Sequence, residues 1–158
     1  MTILNEYLRG RMQENAAALW LCNCSAAGMP DAVRLMGAHA EPDSDHLILY
    51  VPVPLGKDFV NNLSAGGKLA FLFAIVHDNT SFQFKGTCVS YWPSTETEVE
   101  SQRTYVKAFC RELQQQGLDP ERFFFMYFRQ PGITVRMRVE EIYEQTPKAG
   151  TGGKITAP

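Results

Sequence analysis

Hydrophobic and polar positions alternate along this chain in a way that predicts mostly β-strands. Residues 3–12 place apolar side chains at intervals of three and four, which predicts a short amphipathic helix. The apolar run at 16–25 predicts a first strand, and 31–40 a second. Because a turn signal around Gly28 separates these two strands, they are expected to form a hairpin. A third strand is predicted at 46–51.

The middle of the chain changes its pattern twice. From Lys57 onward the apolar positions follow helical spacing, and the glycines at 66–67 end that helix. Residues 68–76 are almost continuously apolar, as in a strand buried on both faces. Apolar and polar residues then alternate through 81–85, which predicts a further strand.

The last third of the chain is predicted to contain two helices and one strand. A long helix over about 94–116 has an apolar stripe and ends before Gly117. The pair at 119–120, an aspartate followed by a proline, predicts the start of a short phenylalanine-rich helix. Strict alternation at 133–139 predicts the final strand.

These elements predict a mainly β (α+β) fold. About six strands are expected, without the regular strand–helix alternation of a parallel doubly wound sheet. A six-stranded antiparallel barrel with flanking helices fits best. One domain is expected over 1–143, followed by a C-terminal tail at 144–158 that contains glycine and proline and is expected to be mobile or to lie along the surface.

Composition narrows the possible partners and the compartment. The formal net charge is −2, so no large positive field is present to attract a nucleic acid backbone. No apolar run reaches the roughly 18 to 20 residues that a membrane-spanning helix needs, and the first residues do not resemble a secretory signal. We therefore expect a cytoplasmic protein whose four cysteines are reduced.

Two basic residues suggest a local anion site. Lys57 is predicted at the first turn of a helix, where a positive charge is mildly unfavourable unless an anion is bound nearby. Arg34 is predicted within an otherwise apolar strand, and its planar donor group suits a phosphate. Either residue could equally extend into solvent.

The order of three short motifs resembles the FMN-binding split-barrel family related to pyridoxamine 5'-phosphate oxidase. They are GMPDAVR at 28–34, LGKDFVNNL at 55–63 and FQFKG at 82–86. The resemblance extends over about residues 10–143. It implies a split β-barrel that binds FMN between two subunits.

The resemblance also implies roles for individual residues. Arg34 and Lys57 match the positions that hold the FMN phosphate, and Leu35 lies beside Arg34 in the same cofactor-binding segment. Ser81 or Gln83 would face the edge of the flavin ring, and both remain candidates. The chain departs from the family pattern in the phosphate loop, where the departing residues are Pro52, Pro54 and Leu55.

Three other motifs have simpler interpretations. The spacing of Cys22 and Cys24 does not match a zinc site, so two buried free cysteines on one face of a strand are expected. The segment GTGGK at 150–154 lacks the glycine spacing and the following Ser or Thr of a phosphate-binding loop. The segment FFFMYF at 123–128 is expected to form part of an interface, because its large apolar residues cannot all point inward.

These observations favour an FMN-binding flavoprotein, a homodimer that carries out oxidoreductase chemistry with a small-molecule substrate or electron donor. Two alternatives remain open. The first is a protein that carries flavin or haem without turnover. The second is a degenerate split barrel that acts as a structural or regulatory dimer, which the loop departures at 52–55 would favour.

Overall fold

A computed structural model describes residues 3–14 and 16–155. Within that part of the chain, eight strands and four α-helices are present. The strands are β1 (Ala17–Cys24), β2 (Pro30–Arg34), β3 (Ala38–Ala40), β4 (His46–Pro52), β5 (Lys68–Ile75), β6 (Ser81–Pro93), β7 (Gly132–Glu144) and β8 (Lys154–Ile155). The helices are α1 (Glu6–Met12), α2 (Lys57–Asn61), α3 (Glu96–Gln114) and α4 (Pro120–Tyr127).

All strands belong to one antiparallel sheet that curves without closing. Its order is β2-β1-β5-β6-β7-β4-β3, and β8 pairs with the end of β7. The predicted antiparallel α+β architecture is confirmed, although the sheet has eight strands where six were expected. The first half of β7 pairs with β4 and the second half with β8, so this long strand links the two parts of the sheet.

The concave face of the sheet holds the core. Alternate residues of each strand point inward, and the phenylalanines of β5 and β6 dominate: Phe71, Phe73, Phe82 and Phe84 are all buried. The rings of Phe71 and Phe84 stack with centroids 5.5 Å apart. Burying each such side chain contributes about 1.5–3 kcal/mol, so this ring cluster is a large part of what holds the strands in register.

The predicted second strand, 31–40, is wrong as a single element. It is divided into β2 and β3 by a bend at 35–37. Gly37 has a φ of +152°, and its carbonyl accepts a hydrogen bond from the N–H of Tyr50 in β4. The chain therefore leaves β1 and joins β4, so the hairpin partner of β1 is only the first half of the predicted segment.

The strands β6 and β7 are much longer than predicted, because bulges interrupt the alternation that the sequence shows. Register shifts occur between Lys85 and Gly86 and between Cys88 and Ser90. At Gly86 an added Cβ would lie 1.8 Å from the carbonyl oxygen of Arg138. Glycine is required there because the backbones of β6 and β7 approach too closely for a side chain.

The predicted helices 94–116 and 119 onward are confirmed with small shifts. Thr95 caps α3, and its own N–H donates to the Glu98 carboxylate, which completes a capping box. The Asp119 carboxylate accepts from two N–H groups at the start of α4. These caps fix where α3 and α4 begin, and the two helices then pack against each other on one side of the sheet.

The tail folds back along the sheet instead of leaving it. Residues 154–155 pair with β7 at Ile142 and Tyr143, and Thr146 Oγ1 accepts a hydrogen bond from the Ser81 N–H at 3.1 Å. No helix within residues 3–14 and 16–155 is long and apolar enough to cross a membrane.

Candidate functional site

A row of five side chains crosses the convex face of the sheet. The strand register places them side by side on successive strands: Arg34 (β2), Trp20 (β1), Leu72 (β5), Gln83 (β6) and Tyr143 (β7). Their strand neighbours point into the core, so all five project outward. We call this set the outer row.

The outer row forms a long and partly apolar surface. Adjacent strands lie about 4.8 Å apart, so three steps separate Arg34 from Gln83 by about 14 Å. Trp20 is 40% exposed, and Leu72 between it and Gln83 is half-buried. The row therefore offers a cation at one end, an apolar middle and an amide beyond it.

The Arg34 side chain is held among aromatic rings. Its guanidinium carbon lies 4.1 Å from the ring centre of Tyr127 and 4.5 Å from that of Phe109. The Trp20 ring is 5.9 Å away on the sheet. Helices α3 and α4 thus supply two of the three rings that orient this cation, and cation–π attraction stabilises it there.

Within residues 3–14 and 16–155, no carboxylate forms an ion pair with Arg34. Partial burial lowers the pKa of Arg34, and the nearby groups that oppose this shift are Tyr127, Tyr105 and Cys110. Arginine remains charged in proteins, so the lowered pKa reflects the unfavourable free energy of removing the cation from water. An anion bound beside the guanidinium would offset that cost.

The two candidates for the flavin edge lie close together at the other end of the face. Gln83 is half-buried, and its side-chain amide makes no hydrogen bond to the described residues. The Ser81 hydroxyl donates to the Asn79 carbonyl at 2.9 Å, which leaves it able only to accept. Gln83 therefore has both a donor and an acceptor available, whereas Ser81 has only an acceptor.

Lys57 begins a helix that packs against β2, the strand of Arg34, on its Val33 side. This helix, α2, has five residues, and the Lys57 side chain is exposed. The β2 residue against the start of α2 is Val33, because an added Cβ at Gly56 would lie 2.6 Å from Val33 Cγ2. Val33 points to the opposite face from Arg34, so no contact within the described residues joins the two predicted phosphate ligands.

Leu35, the remaining predicted cofactor residue, faces the core, and the three residues that depart from the family pattern lie in and just before the loop that precedes α2. Leu35 is 3% exposed within the core, and its N–H donates to the Leu19 carbonyl at 3.0 Å. Pro52 ends β4 in a buried position, while Pro54 and Leu55 form an exposed single 3-10 turn. Leu35 therefore has only its carbonyl oxygen available to a ligand.

The convex face continues below the outer row into a groove of about 660 Å³. Cys22, Cys24 and Lys85 contribute to its lining. The expectation of two buried cysteines is wrong: Cys24 is exposed and Cys22 is half-buried, because Leu21 and Asn23 occupy the inward positions of β1. Burial and the nearby Asp31 raise the pKa of the Cys22 thiol.

Histidines lie away from the outer row. His46 is near Glu41, and His77 is near Glu14 and Asp78, with nitrogen–oxygen distances of 3.7–3.9 Å. Among residues 3–14 and 16–155, no three His, Cys, Asp or Glu side chains are grouped as metal ligands.

Sequence reasoning identified Arg34 and Gln83 but missed the other three residues of the outer row. Trp20, Leu72 and Tyr143 become neighbours only through the pairing of strands that are distant along the chain. The alternation within the segment ALWLCNC could have indicated that Trp20 shares a face with Cys22 and Cys24. No local pattern in the sequence indicated that Leu72 and Tyr143 would lie in the same row as Trp20.

Comparison with solved structures identifies the fold. HupZ of Group A Streptococcus is 13% identical with a TM-score of 0.55, covering 96% of this chain and 99% of that one. A candidate pyridoxamine 5'-phosphate oxidase of Lactobacillus delbrueckii is 16% identical with a TM-score of 0.52, covering 89% and 93%. HutZ, the haem storage protein of Vibrio cholerae, is 12% identical with a TM-score of 0.50, covering 91% and 95%.

No family model and no curated protein sequence matches the chain. The solved structures therefore provide the resemblance, and at these identities it concerns the fold alone. The chain has the split-barrel fold of pyridoxamine 5'-phosphate oxidase-like proteins, the fold that HupZ and HutZ share.

Proposed function

We propose that this protein is an FMN-binding flavoprotein that acts as an oxidoreductase on a small molecule. The observation that carries the proposal is the uncompensated charge of Arg34 at one end of the outer row. Gln83 has a free amide, and its backbone lies about 14 Å from that of Arg34, three strands across an apolar surface. This spacing is comparable to the length of an extended FMN.

Each part of the row has a defined task in this proposal. Arg34 binds the phosphate through charge-assisted hydrogen bonds, and the rings of Phe109 and Tyr127 keep its guanidinium oriented. Trp20 and Leu72 contact the apolar parts of the cofactor, and Gln83 donates to and accepts from the ring edge. The bound flavin supplies the hydride or electron chemistry, while the protein supplies position and electrostatics.

Lys57 is a second candidate for the phosphate, with weaker support. Its exposed ammonium has no carboxylate partner among the described residues, but it begins a helix on the Val33 side of β2. We therefore propose that Arg34 carries most of the phosphate affinity and that Lys57 adds at most a screened, longer-range attraction.

A homodimer follows from the same surface. Trp20 and Leu72 expose apolar area in the middle of the outer row. A second copy placed against this face would exclude water from the cofactor and leave one side open to a small-molecule substrate or electron donor. The compartment in which this takes place is expected to be the cytoplasm.

A haem carrier is the second candidate, because HutZ, a haem storage protein, has the same fold. The outer row contains no histidine to ligate iron, and the raised pKa of Cys22 disfavours a thiolate ligand. The chemistry of the row therefore favours flavin. The visible spectrum of the purified protein separates the two, since a haem band would support the carrier and reject our proposal.

The test is a comparison of FMN and riboflavin, which differ only in the phosphate. Arg34→Met should weaken FMN binding at least about tenfold and leave riboflavin binding nearly unchanged. Arg122→Met is the matched control, because Arg122 is an exposed arginine of α4 that contacts none of the outer row. Lys57→Met should weaken FMN binding less than Arg34→Met does.

Two outcomes would reject the proposal. Equal losses for FMN and riboflavin in Arg34→Met would show that Arg34 does not bind the phosphate. A colourless protein that takes up neither flavin would favour the structural or regulatory dimer.

A further inference from the structure

A second groove lies between α3 and α4, and its floor residue Cys110 is close to Arg34 at one end of the outer row. Its volume is about 590 Å³, within the range of pockets that hold small ligands. Cys110 forms part of its floor, and Phe124 and Phe125 line the α4 side. Burial raises the pKa of the Cys110 thiol, so this floor is uncharged. The FMN proposal makes no use of this groove.

Positive charge borders the groove on the α3 side. Lys107 and Arg111 are one helical turn apart, and both line it. Neither forms an ion pair or a side-chain hydrogen bond with the described residues. Two like charges four residues apart on a helix repel each other. This repulsion is unfavourable as long as no anion is bound between the two side chains. Glu121 is the carboxylate at the rim, at the start of α4, where the helix dipole stabilises it.

Aromatic rings border the opposite side in a stacked arrangement. Phe124 and Phe128 stack with centroids 5.2 Å apart and an interplanar angle of 16°. The guanidinium of Arg103, one turn before Lys107, lies 4.5 Å from the Phe128 ring centre. Phe125, next to Phe124, is 68% exposed. A planar ring placed in the groove would continue this stack and cover exposed apolar area.

We propose that the groove binds a small aromatic anion, a planar ring system that carries a sulfonate, carboxylate or phosphate. The ring packs against Phe124 and Phe125 over the Cys110 floor, and the acid group lies between Lys107 and Arg111. The negative charge of such a ligand offsets the repulsion between the two cations, whereas an uncharged aromatic molecule would leave that repulsion unchanged. The lining of this site includes none of the outer-row residues.

The experiment titrates the full chain with two fluorescent probes of nearly the same shape. Anilinonaphthalene sulfonate carries the acid group, and phenylnaphthylamine is its uncharged parent. Arg111→Gln should weaken the sulfonate about fivefold, as expected for a solvent-accessible ion pair, and leave the uncharged probe unchanged. Phe125→Ala should weaken both probes. Because Arg111 and Phe125 are exposed, both variants are expected to fold.

Arg122→Gln is the matched control, since it removes one arginine from α4 outside the groove. It should leave both probes unaffected. An equal loss of sulfonate affinity in Arg122→Gln and Arg111→Gln would trace binding to net charge and overturn the proposal. Titrations of Arg111→Gln and Phe125→Ala that match the wild type would also overturn it.

Discussion

The guanidinium carbon of Arg34 lies 4.1 Å from the centre of the Tyr127 ring. A strand residue at the edge of the sheet is therefore fixed by a helix from the far end of the chain. This contact makes α4 part of the candidate cofactor site, although no α4 residue belongs to the outer row. The Tyr127 side of this short aromatic helix therefore orients the Arg34 side chain.

The Arg34–Tyr127 pair should show measurable coupling in stability. We expect a double-mutant cycle of Arg34→Met and Tyr127→Leu, followed by urea unfolding, to give a coupling energy of about 1 kcal/mol. The half-buried position of Arg34 places it between exposed and desolvated cation–π pairs. Additive effects of the two substitutions would contradict the contact.

Two glycine substitutions should change stability in opposite directions. Gly86→Ala should lower the free energy of unfolding by about 3 kcal/mol, because the new Cβ would overlap the Arg138 carbonyl oxygen. Gly10→Ala should raise it by about 0.5–1 kcal/mol, since Gly10 lies within α1 and its Cβ would meet nothing within 4 Å. Urea unfolding of both variants checks this. A tolerated alanine at Gly86 would mean that β6 and β7 lie further apart.

Asp78 should make the protein lose stability in acid. A hydrogen bond from the Thr80 N–H, together with the Arg11 guanidinium, lowers the pKa of Asp78 from 3.8 to about 2. A carboxylate with a depressed folded-state pKa contributes stability above its unfolded pKa and loses it as the pH falls through the folded value. The contribution is therefore complete above about pH 5 and disappears between 3.8 and about 2.

The measurement is the melting temperature of the wild type and of Asp78→Asn between pH 6 and pH 2. The wild type should be more stable than Asp78→Asn at pH 6, and the two curves should converge as the pH approaches about 2. Parallel curves over the whole range would show that Asp78 has the same pKa in the folded and unfolded states.

The proposed dimer should depend on the convex face of the sheet. Light scattering coupled to size exclusion should give about twice the chain mass of 17.8 kDa for the wild type. Leu72→Asp should shift the protein to the monomer, because it places a charge in the middle of the outer row. Leu118→Asp is the control, since Leu118 is also partly exposed but follows α3. A monomeric wild type would contradict the dimer.

Local patterns predicted the elements better than their pairing. The strands β1, β4 and β5 and the helices α3 and α4 lie within a few residues of their predicted limits, because each has its own periodicity or cap. The segment 31–40 predicts one strand because its apolar run does not show the bend at Gly37. The bend depends on a partner strand, β4, that no local pattern reveals.

The candidate site was predictable only in part, for the same reason. Arg34 and Gln83 were found as single residues in strands, but their alignment across the sheet depends on the pairing of β1 with β5 and of β5 with β6. The resemblance to a family predicts that Lys57 acts together with Arg34, and the start of α2 lies against Val33, the neighbour of Arg34 in β2. Two of the three rings around Arg34 come from α3 and α4, whose packing on the sheet edge is a long-range property.

The outer row also bears on how this sequence can diverge. Trp20 faces outward only because its neighbours, Leu19 and Leu21, are in register with the buried side of β5. Inserting or deleting one residue within β1 would exchange the two faces of that strand and disrupt the core and the candidate site together. Related sequences should therefore vary in length at the turns 25–29 and 76–80, and keep β1 and β5 at constant length while their outward residues change.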